Sequence, residues 1–287
     1  MGAALMARRL AYLEDHTRAE WLALRSTGIG GSDAAAALGM SPWKSPWQLH
    51  HEKVGTVAGD DEQTEAMYWG SVIEPVVRAR WRADHPQHDV DHSNIMYVHD
   101  DDDWKLANTD GLIDDDGVLE VKTANARVAY KFDDGNIPDD YLIQGVWYMH
   151  VLDRDYVVFA VLIGGNDYRV VRIERDYNVE ELVCADVADF WADVQAGRPP
   201  DPIAGDNVAL AYPFSRPSVV HLESIDLIDT IHEATGRRRT AEPDEAEAKN
   251  MLRALMGEHD TAMVDGRKVA TWKTTKTGNR SLRMTKR

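Results

Sequence analysis

The sequence has one cysteine among its 287 residues, Cys184. A single cysteine excludes a disulfide framework, a zinc site built from cysteines and an iron–sulfur cluster. It also fits a reducing compartment, so the cytoplasm is the expected location. We interpret Cys184 itself as a small apolar residue that is buried in the core.

Long apolar stretches are also missing from the chain. No run approaches the roughly 18 apolar residues of a membrane-spanning helix. The opening residues, MGAALMARRL, lack the apolar core and cleavage site of a secretion signal. We therefore expect neither secretion nor a membrane partner. The hydrophobic fraction of 44% and the nine tryptophans nevertheless exclude a wholly disordered chain.

Basic residues are scarce and unevenly placed. The chain has 32 basic and 49 acidic residues and a formal net charge of −17, which on its own disfavours binding to nucleic acid. Residues 266–287, however, contain eight basic residues and no acidic one, so the remainder carries −25. This asymmetry has two interpretations: the tail contacts a phosphate backbone, or it is a mobile solubilising segment.

Local signals predict a helical first third and strands in the middle of the chain. Ser32 is a candidate cap for a short alanine-rich helix over 33–38. Ser45 and Pro46 open another helix as its cap and first-turn proline. A longer helix is predicted over 62–81 from its apolar stripe. The remaining predicted elements are strands at 105–108, 110–113 and 118–123, a helix at 138–152, a hairpin of strands at 156–163 and 168–174, and a helix at 179–195 capped by Asn178.

A segment rich in proline, glycine and aspartate, residues 201–218, is typical of a connector. The predicted organisation is a first domain at 1–200, this connector, and a C-terminal extension at 219–287. The extension is predicted to be helical over 221–257, with a break at Pro243. It then ends in a basic hairpin that turns at Asp265 and Gly266.

The most informative pattern for function consists of two acids and a lysine, Asp110, Glu120 and Lys122. Glu120 and Lys122 are two residues apart, so on a strand their side chains point to one face. A hairpin folded near Asp115 places Asp110 opposite Glu120 and brings two carboxylates beside one ammonium group. Such oxygen ligands suit Mg²⁺ or Mn²⁺, and a metal there would activate water and neutralise a phosphodiester. The alternative is a surface hairpin with a cross-strand cluster of charges.

The helices on either side of this hairpin carry further polar candidates. Glu74 lies on the preceding helix and Gln144 on the following one. Taken singly, Glu74 is equally an exposed helical residue and Gln144 a polar residue at a packing edge. Together with the hairpin they outline the PD-(D/E)xK nuclease core. The expected fold class is therefore α/β, a central mixed sheet flanked by helices, with a helical N-terminal part and a helical and basic C-terminal extension.

Five motifs occur in order over about residues 20–175 and resemble the YqaJ-type viral recombinase family, to which lambda exonuclease belongs. They are RSTGIGGSD at 25–33 with LG at 38–39, SPWKSP at 41–46, GSVIEP at 70–75, NTDG at 108–111 with LEVKT at 119–123, and YLIQ at 141–144 with YM at 148–149. Asn108 stands where a small residue is more usual in the family, with no expected effect on the chemistry.

The resemblance implies roles for the residues of the hairpin and the helix before it. Asp110 and Glu120 would bind metal, with the carbonyl of Val121 as a further ligand. Lys122 would position the nucleophilic water. Glu74 would hold water on the metal or contact Lys122.

The resemblance also implies how substrate is held. Gln144 would orient Lys122 or the scissile phosphate, and Tyr148 lies one turn further along the same helix face and would contact the DNA. Arg25 and Ser32 match the positions that hold a 5′-terminal phosphate. Their chemistry fits this role, because Arg25 offers a planar fork of donors and Ser32 follows a glycine-rich loop at a helix start.

The activity implied by the resemblance is a metal-dependent 5′–3′ exonuclease. It would digest one strand of linear double-stranded DNA from a 5′-phosphorylated end, with two Mg²⁺ ions per site and Mn²⁺ as a substitute. The 3′ overhang would pass to a single-strand annealing protein in phage-type recombination, and the family suggests a homo-oligomeric ring around the DNA. Two alternatives remain: a non-catalytic module that recognises DNA ends, and an endonuclease on the same core.

Other conspicuous side chains receive simpler interpretations. His85, His88 and His92 lack the spacing of a helical zinc pair and are expected in a solvated loop. Trp43 and Trp47 are expected in the core or in a lid, and stacking on a frayed terminal base is the alternative for them.

Overall fold

The computed structural model describes residues 7–57, 64–91, 94–211, 226–256, 259–264, 267–274 and 280–285. The chain divides into two units, Met1–Ser215 and Arg216–Arg287. No helix in the described ranges combines the length and the apolar character needed to cross a membrane.

The first unit mixes helices and strands. Its strands are β1 (Ala7–Tyr12), β2 (Val90–Asp91), β3 (Ile95–His99), β4 (Leu106–Asn108), β5 (Gly111–Ile113), β6 (Gly117–Ala124), β7 (Tyr156–Ile163) and β8 (Asp167–Glu174). Its α-helices are α1 (Arg18–Ser26), α2 (Gly31–Ala37), α3 (Pro46–Lys53), α4 (Glu65–Asp84), α5 (Asp139–Leu152), α6 (Tyr177–Gln195) and α7 (Val208–Ala211). Two 3₁₀ segments lie at Leu13–Asp15 and Ala126–Gly135.

A five-stranded mixed sheet forms the centre of this unit, in the order β2-β5-β6-β7-β8. The central pair β6 and β7 is parallel and is connected through α5, whereas the neighbouring pairs are antiparallel. The near-continuous apolar run of β7 matches a strand that is buried on both faces. Val158 packs on one face in a cluster with Trp81 of α4, and Phe159 packs on the other in a cluster with Val146 of α5. The expected α/β class with a sheet flanked by helices is confirmed.

A second sheet has three antiparallel strands in the order β1-β3-β4. Sequence patterns did not predict β1 or β3. All five residues of β3 are buried, so this strand lacks the alternation that identifies a half-buried strand. The glycine-rich loop is tied to this sheet, because Ile29 donates to the carbonyl of Trp104 at 2.7 Å. A β-carbon at Gly28 would lie 2.1 Å from the same oxygen, so this close approach requires glycine.

Several helix starts differ from the sequence predictions. The α2 helix is capped by Gly30, whose N–H is satisfied by the carboxylate of Asp33, so Ser32 is not its cap. The α4 helix is capped by Thr64 instead of beginning at 62, a position outside the described residues. The cap of α6 is Asp176, because its carboxylate reaches the first free N–H groups.

Other helix predictions are confirmed. The side chain of Ser45 accepts from the N–H of Gln48, and Pro46 occupies the first turn of α3. Gly39 has a positive φ of 69° and ends the short α2 segment, as glycine does after a helix. The α5 helix and the β7–β8 hairpin lie within one residue of their predicted bounds.

The second unit contains one long helix and a small sheet. Its elements are α8 (Asp226–Met256), β9 (Thr261–Val264), β10 (Arg267–Thr274) and β11 (Arg280–Met284), with the antiparallel strand order β11-β10-β9. The α8 helix continues through Pro243, so the predicted break is wrong. The β9–β10 hairpin is confirmed, although its turn at 265–266 lies outside the described residues, as do 212–225 and 257–258. The third strand, β11, was not predicted.

Candidate active site

One cavity of about 620 Å³ is lined by every residue to which the sequence assigns a role. These residues are Arg25, Ser32, Glu74, Asp110, Glu120, Val121, Lys122, Gln144 and Tyr148. They come from four helices, α1, α2, α4 and α5, and from the β5–β6 hairpin with the residue before it. The fold thus collects in one place side chains that are distant in the sequence.

The hairpin places Asp110 beside β6 as its spacing predicts. Gly111 pairs with Leu119 in an antiparallel register, so one residue before Gly111 the same register places Asp110 opposite Glu120. The carboxylate of Asp110 accepts a hydrogen bond of 2.7 Å from the backbone N–H of Val121. This bond fixes the acid at the strand edge, where its carboxylate and that of Glu120 line the same cavity.

Lys122, Glu120 and Gln144 form a closed set of contacts. The Nζ of Lys122 is 2.9 Å from Oε1 of Glu120 and donates to Oε1 of Gln144 at 2.8 Å. The amide nitrogen of Gln144 donates back to Oε1 of Glu120 at 2.7 Å and to the hydroxyl of Tyr148 at 3.0 Å. Tyr148 in turn donates to the carbonyl of Asn108 at 2.7 Å. The ammonium group is therefore held in one position by side chains from a strand and from a helix.

Glu74 of α4 lines the same cavity and pairs with Arg78, a residue that the sequence did not single out. Arg78, one turn further along the helix, lies 3.2 Å from Oε1 of Glu74. The same nitrogen donates to the carbonyl oxygen of Asp110 at 2.9 Å. Arg78 thus connects the helix to the residue that starts the hairpin. Only its position four residues after Glu74 could have indicated this pairing.

The pKa values of the three carboxyl groups in the cavity are raised. Burial and the nearby Asp110 raise the pKa of Glu120 to about 8. Burial and the same neighbour raise the pKa of Glu74 to about 7, and burial also raises the pKa of Asp110. Burial lowers the pKa of Lys122, but the carboxylates of Glu120 and Asp110 outweigh it, so the ammonium keeps its charge. Acids that repel one another in a buried site are typical of a place that accepts a cation.

The donor set fits a divalent cation of the oxygen-loving kind. Oε2 of Glu120 is buried and has no hydrogen-bond partner, which leaves an oxygen available to a metal. In the described part of the chain, no group of three His, Cys, Asp or Glu side chains is arranged to hold a metal. The described residues therefore offer two carboxylates, of Asp110 and Glu120, and Val121 lines the same cavity. Carboxylate oxygens are ligands that Mg²⁺ and Mn²⁺ prefer in proteins.

Arg25 of α1 and Ser32 of α2 line the same cavity. Nη2 of Arg25 donates to Oγ of Ser32 at 3.2 Å, and the Arg25 side chain is 40% exposed. Behind them lie two residues that the sequence did not single out, Asp33 and Lys53, which form a buried ion pair of 2.8 Å. The cavity thus has an acidic side at the hairpin and a cationic side at the glycine-rich loop.

The remaining candidates lie elsewhere. Trp47 is 3% exposed and belongs to the core, but Trp43 is 85% exposed, so the core interpretation of Trp43 is wrong. His88 pairs with Asp114 at 2.5 Å on the surface. His92 lies outside the described residues. Cys184 is half-buried and packs against the core, where burial raises its pKa to about 11.

Comparison with known proteins agrees with this geometry. Residues 20–155 match the model of the YqaJ-like viral recombinase domain. The chain is 34% identical over 209 residues to the uncharacterized protein YqaJ of Bacillus subtilis (strain 168). The match covers 72% of this chain and 65% of that protein, so the chain spans just under two-thirds of the relative's length.

Solved structures share the fold. An alkaline exonuclease from Laribacter hongkongensis, LHK-Exo, is 25% identical, with a TM-score of 0.55 over 63% of this chain and 94% of the exonuclease. The structure of LHK-Exo in complex with dAMP is 24% identical and has the same TM-score and coverage. The fold and the matched segment agree, and residues 20–155 of this chain are similar to the YqaJ-like viral recombinase domain.

Proposed function

We propose that this chain is a divalent-metal-dependent exonuclease that digests one strand of linear duplex DNA from a 5′-phosphorylated end, in the 5′–3′ direction. The observation that carries the proposal is the cavity itself. It combines the acidic set of Asp110 and Glu120 and the ammonium group of Lys122 with two hydrogen-bond donors, the guanidinium of Arg25 and the hydroxyl of Ser32. One site thus offers groups for phosphodiester hydrolysis and groups for a terminal phosphate. The exonuclease fold of LHK-Exo supports the assignment.

The acidic side supplies the hydrolytic chemistry. Asp110, Glu120 and the carbonyl of Val121 would hold the cation, which when bound activates water and neutralises charge on the phosphate. Lys122 then positions the attacking water, since its Nζ is fixed by Glu120 and Gln144. Attack on phosphorus breaks the bond to the 3′ oxygen, which leaves with a proton.

Cleavage at this bond explains why both sides of the cavity are needed. It releases a nucleotide with its 5′-phosphate and leaves a new 5′-phosphate on the shortened strand. Arg25 and Ser32 would receive this new end, because a guanidinium fork and a hydroxyl are donors suited to phosphate oxygens. Each turnover therefore regenerates the group that the site recognises.

Two other functions fit the cavity less well. A non-catalytic module that binds DNA ends would not need the complete set of Asp110, Glu120 and Lys122. An endonuclease would not need Arg25 and Ser32, because an internal phosphodiester has no terminal phosphate.

The second unit offers a surface for the DNA backbone. Residues 216–287 contain 14 basic and 11 acidic residues, in contrast to the strongly acidic first unit. In β10 and β11, Thr271 pairs with Arg283 and Lys273 pairs with Ser281, so both cations lie on the face opposite to the buried Ala270. Both are exposed, and Lys273 lies 3.6 Å from Asp260. We propose that this face contacts phosphates without reading sequence.

The biological setting is proposed from the family. The enzyme would act in the cytoplasm on DNA ends in phage-type recombination. Its 3′ single-stranded product would pass to an annealing protein. Enclosure of DNA by a homo-oligomeric ring is part of the same proposal.

Digestion of defined substrates separates the candidate functions. Linear duplexes with and without a 5′-phosphate, and closed circles, are incubated with Mg²⁺ or with EDTA. We expect Mg²⁺-dependent release of nucleotides from the phosphorylated linear duplex, little from the 5′-hydroxyl duplex, and intact circles. Cutting of circles would favour the endonuclease, and binding without cutting would favour the module. Equal rates with and without the phosphate would contradict the role of Arg25 and Ser32.

A further inference from the structure

Lys53, the last residue of α3, has its ammonium group buried beside the segments that carry Arg25 and Ser32. Its side chain is only 5% exposed. The Nζ donates to the carbonyl oxygen of Arg25 at 2.8 Å and to Oδ2 of Asp33 at 2.8 Å. One ammonium group thus links the last turn of α1 to the first turn of α2.

The carboxylate of Asp33 lies between two cations. Oδ2 contacts Lys53, whereas Oδ1 is 3.9 Å from Nη2 of Arg25, the same nitrogen that donates to Ser32. Burial acts to raise the pKa of Asp33, but the positive charges nearby, Lys53 first, hold it at about 2. Asp33 is therefore ionised at neutral pH and needs a cation beside it. Lys53 is in direct contact, and Arg25 is the next cation.

We propose that Lys53 is a positioning residue for recognition of the DNA end. Its charge satisfies Asp33, so that the guanidinium of Arg25 remains directed at Ser32 and the cavity. A buried carboxylate without its cation is costly, so it attracts the nearest remaining one. Without Lys53, that partner is Arg25, which would turn from the cavity to Asp33. The inference rests on the proposed function, in which Arg25 receives the terminal phosphate.

The experiment measures kcat and KM of the full chain on duplexes with a 5′-phosphate and with a 5′-hydroxyl. For Lys53→Met we expect the ratio of kcat/KM for the two ends to fall by about tenfold or more, as when a charge-assisted hydrogen bond is removed. The loss should appear as a higher KM for the phosphorylated duplex, with little change on the hydroxyl duplex. The double variant Asp33→Asn/Lys53→Met removes the carboxylate as well. It should recover most of the preference, because nothing then draws Arg25 away.

The double variant distinguishes positioning from support of the fold. A purely structural role predicts that the double variant is at least as impaired as the single one, and on both substrates equally. That result would overturn the inference. Lys105→Met is the matched control, because Lys105 is also a largely buried lysine but pairs with Asp102 at 2.8 Å, so its loss should leave the preference unchanged.

The outcomes also separate this inference from the proposed function. A wild-type chain without preference for the phosphate would overturn both. A wild-type preference that survives in Lys53→Met and in Lys53→Gln would overturn only the role of Lys53. If thermal unfolding shows that neither single variant folds, the double variant decides, and loss of preference there counts against the inference.

Discussion

Gly31 in α2 lies directly against the ring of Tyr148 in α5, and this contact joins the two sides of the cavity. A β-carbon at Gly31 would come within 2.5 Å of Cε1 of Tyr148 and 2.9 Å of Cγ of Gln144. Tyr148 is also bonded to Gln144 and to the carbonyl of Asn108. The missing side chain thus lets the helix that carries Ser32 approach Gln144, which holds Lys122.

The first prediction follows from this contact. Gly31→Ala should push the Tyr148 ring away and break its bond to Gln144, at a cost of about 1–3 kcal/mol in the free energy of unfolding, as for overpacked cores. Activity should fall with it, because Gln144 no longer holds Lys122. Urea unfolding and the digestion assay measure both effects. Gly30→Ser is the matched control: a β-carbon there meets only an ordinary contact of 3.7 Å, and serine is favoured at a helix cap.

The second prediction concerns the acidic side of the cavity. Lys122→Met should reduce kcat by about 10³-fold, in the range expected when a group that handles the nucleophile is removed. Asp110→Asn should have a similar effect, because its amide oxygen still accepts from the N–H of Val121 but the charge that attracts metal is gone. Single-turnover digestion measures the rates, and circular dichroism verifies the fold. Wild-type activity in either variant would refute the assigned site, as it would for Asp110→Ala.

The third prediction uses the raised pKa of Glu120. In the folded chain this group keeps its proton to about pH 8, whereas an ordinary glutamate loses it near 4.5. Between these values the folded state binds more protons than the unfolded one, so without metal the stability should fall as pH rises from about 5 to 8. Glu120→Gln removes the group and should flatten this fall. Thermal unfolding in EDTA at several pH values measures this dependence. If stability falls with pH as steeply in Glu120→Gln as in the wild-type chain, the pKa of Glu120 is not raised.

Added Mg²⁺ should reverse that trend. Metal binds the deprotonated carboxylates, so its stabilising effect should grow between about pH 6 and 8.5. DNA binding by the wild-type chain should depend on divalent metal for the same reason, since the ion neutralises the acidic side of the cavity. Glu120→Gln should lose most of the Mg²⁺-induced shift in Tm.

The fourth prediction concerns the second unit. Deletion of 266–287 would also remove the buried Ala270 and so disturb the packing of the second unit. Substitution of exposed residues is therefore the better test. Lys273→Glu with Arg283→Glu should weaken DNA binding and reduce the slope of log K against log salt by about 2, one for each phosphate that is no longer neutralised. Arg237→Glu with Arg253→Glu on α8 makes the same change in net charge. If both double variants weaken DNA binding equally, the effect comes from the net charge of the chain, and the β10–β11 face makes no specific contact with DNA.

Local sequence predicted the elements whose signals lie within a few residues. Caps and turns act over three or four positions, which is why α3 with its Ser45 cap was found almost to the residue. The same holds for the β5–β6 hairpin, where the spacing placed Asp110 opposite Glu120. The order of the motifs then predicted the set of side chains that lines the cavity. Strand β3 was not predicted, because both of its faces are buried by partners elsewhere in the chain and its sequence therefore does not alternate between apolar and polar residues.

The sequence by itself therefore determined which acids, which lysine and which arginine line one cavity. Only the tertiary structure decided how these groups are held. The bonds of Arg78 to the carbonyl of Asp110 and of Lys53 to Asp33 join residues that are 32 and 20 positions apart. Such contacts depend on how the helices pack against segments that are distant in the sequence, so no local pattern predicts them.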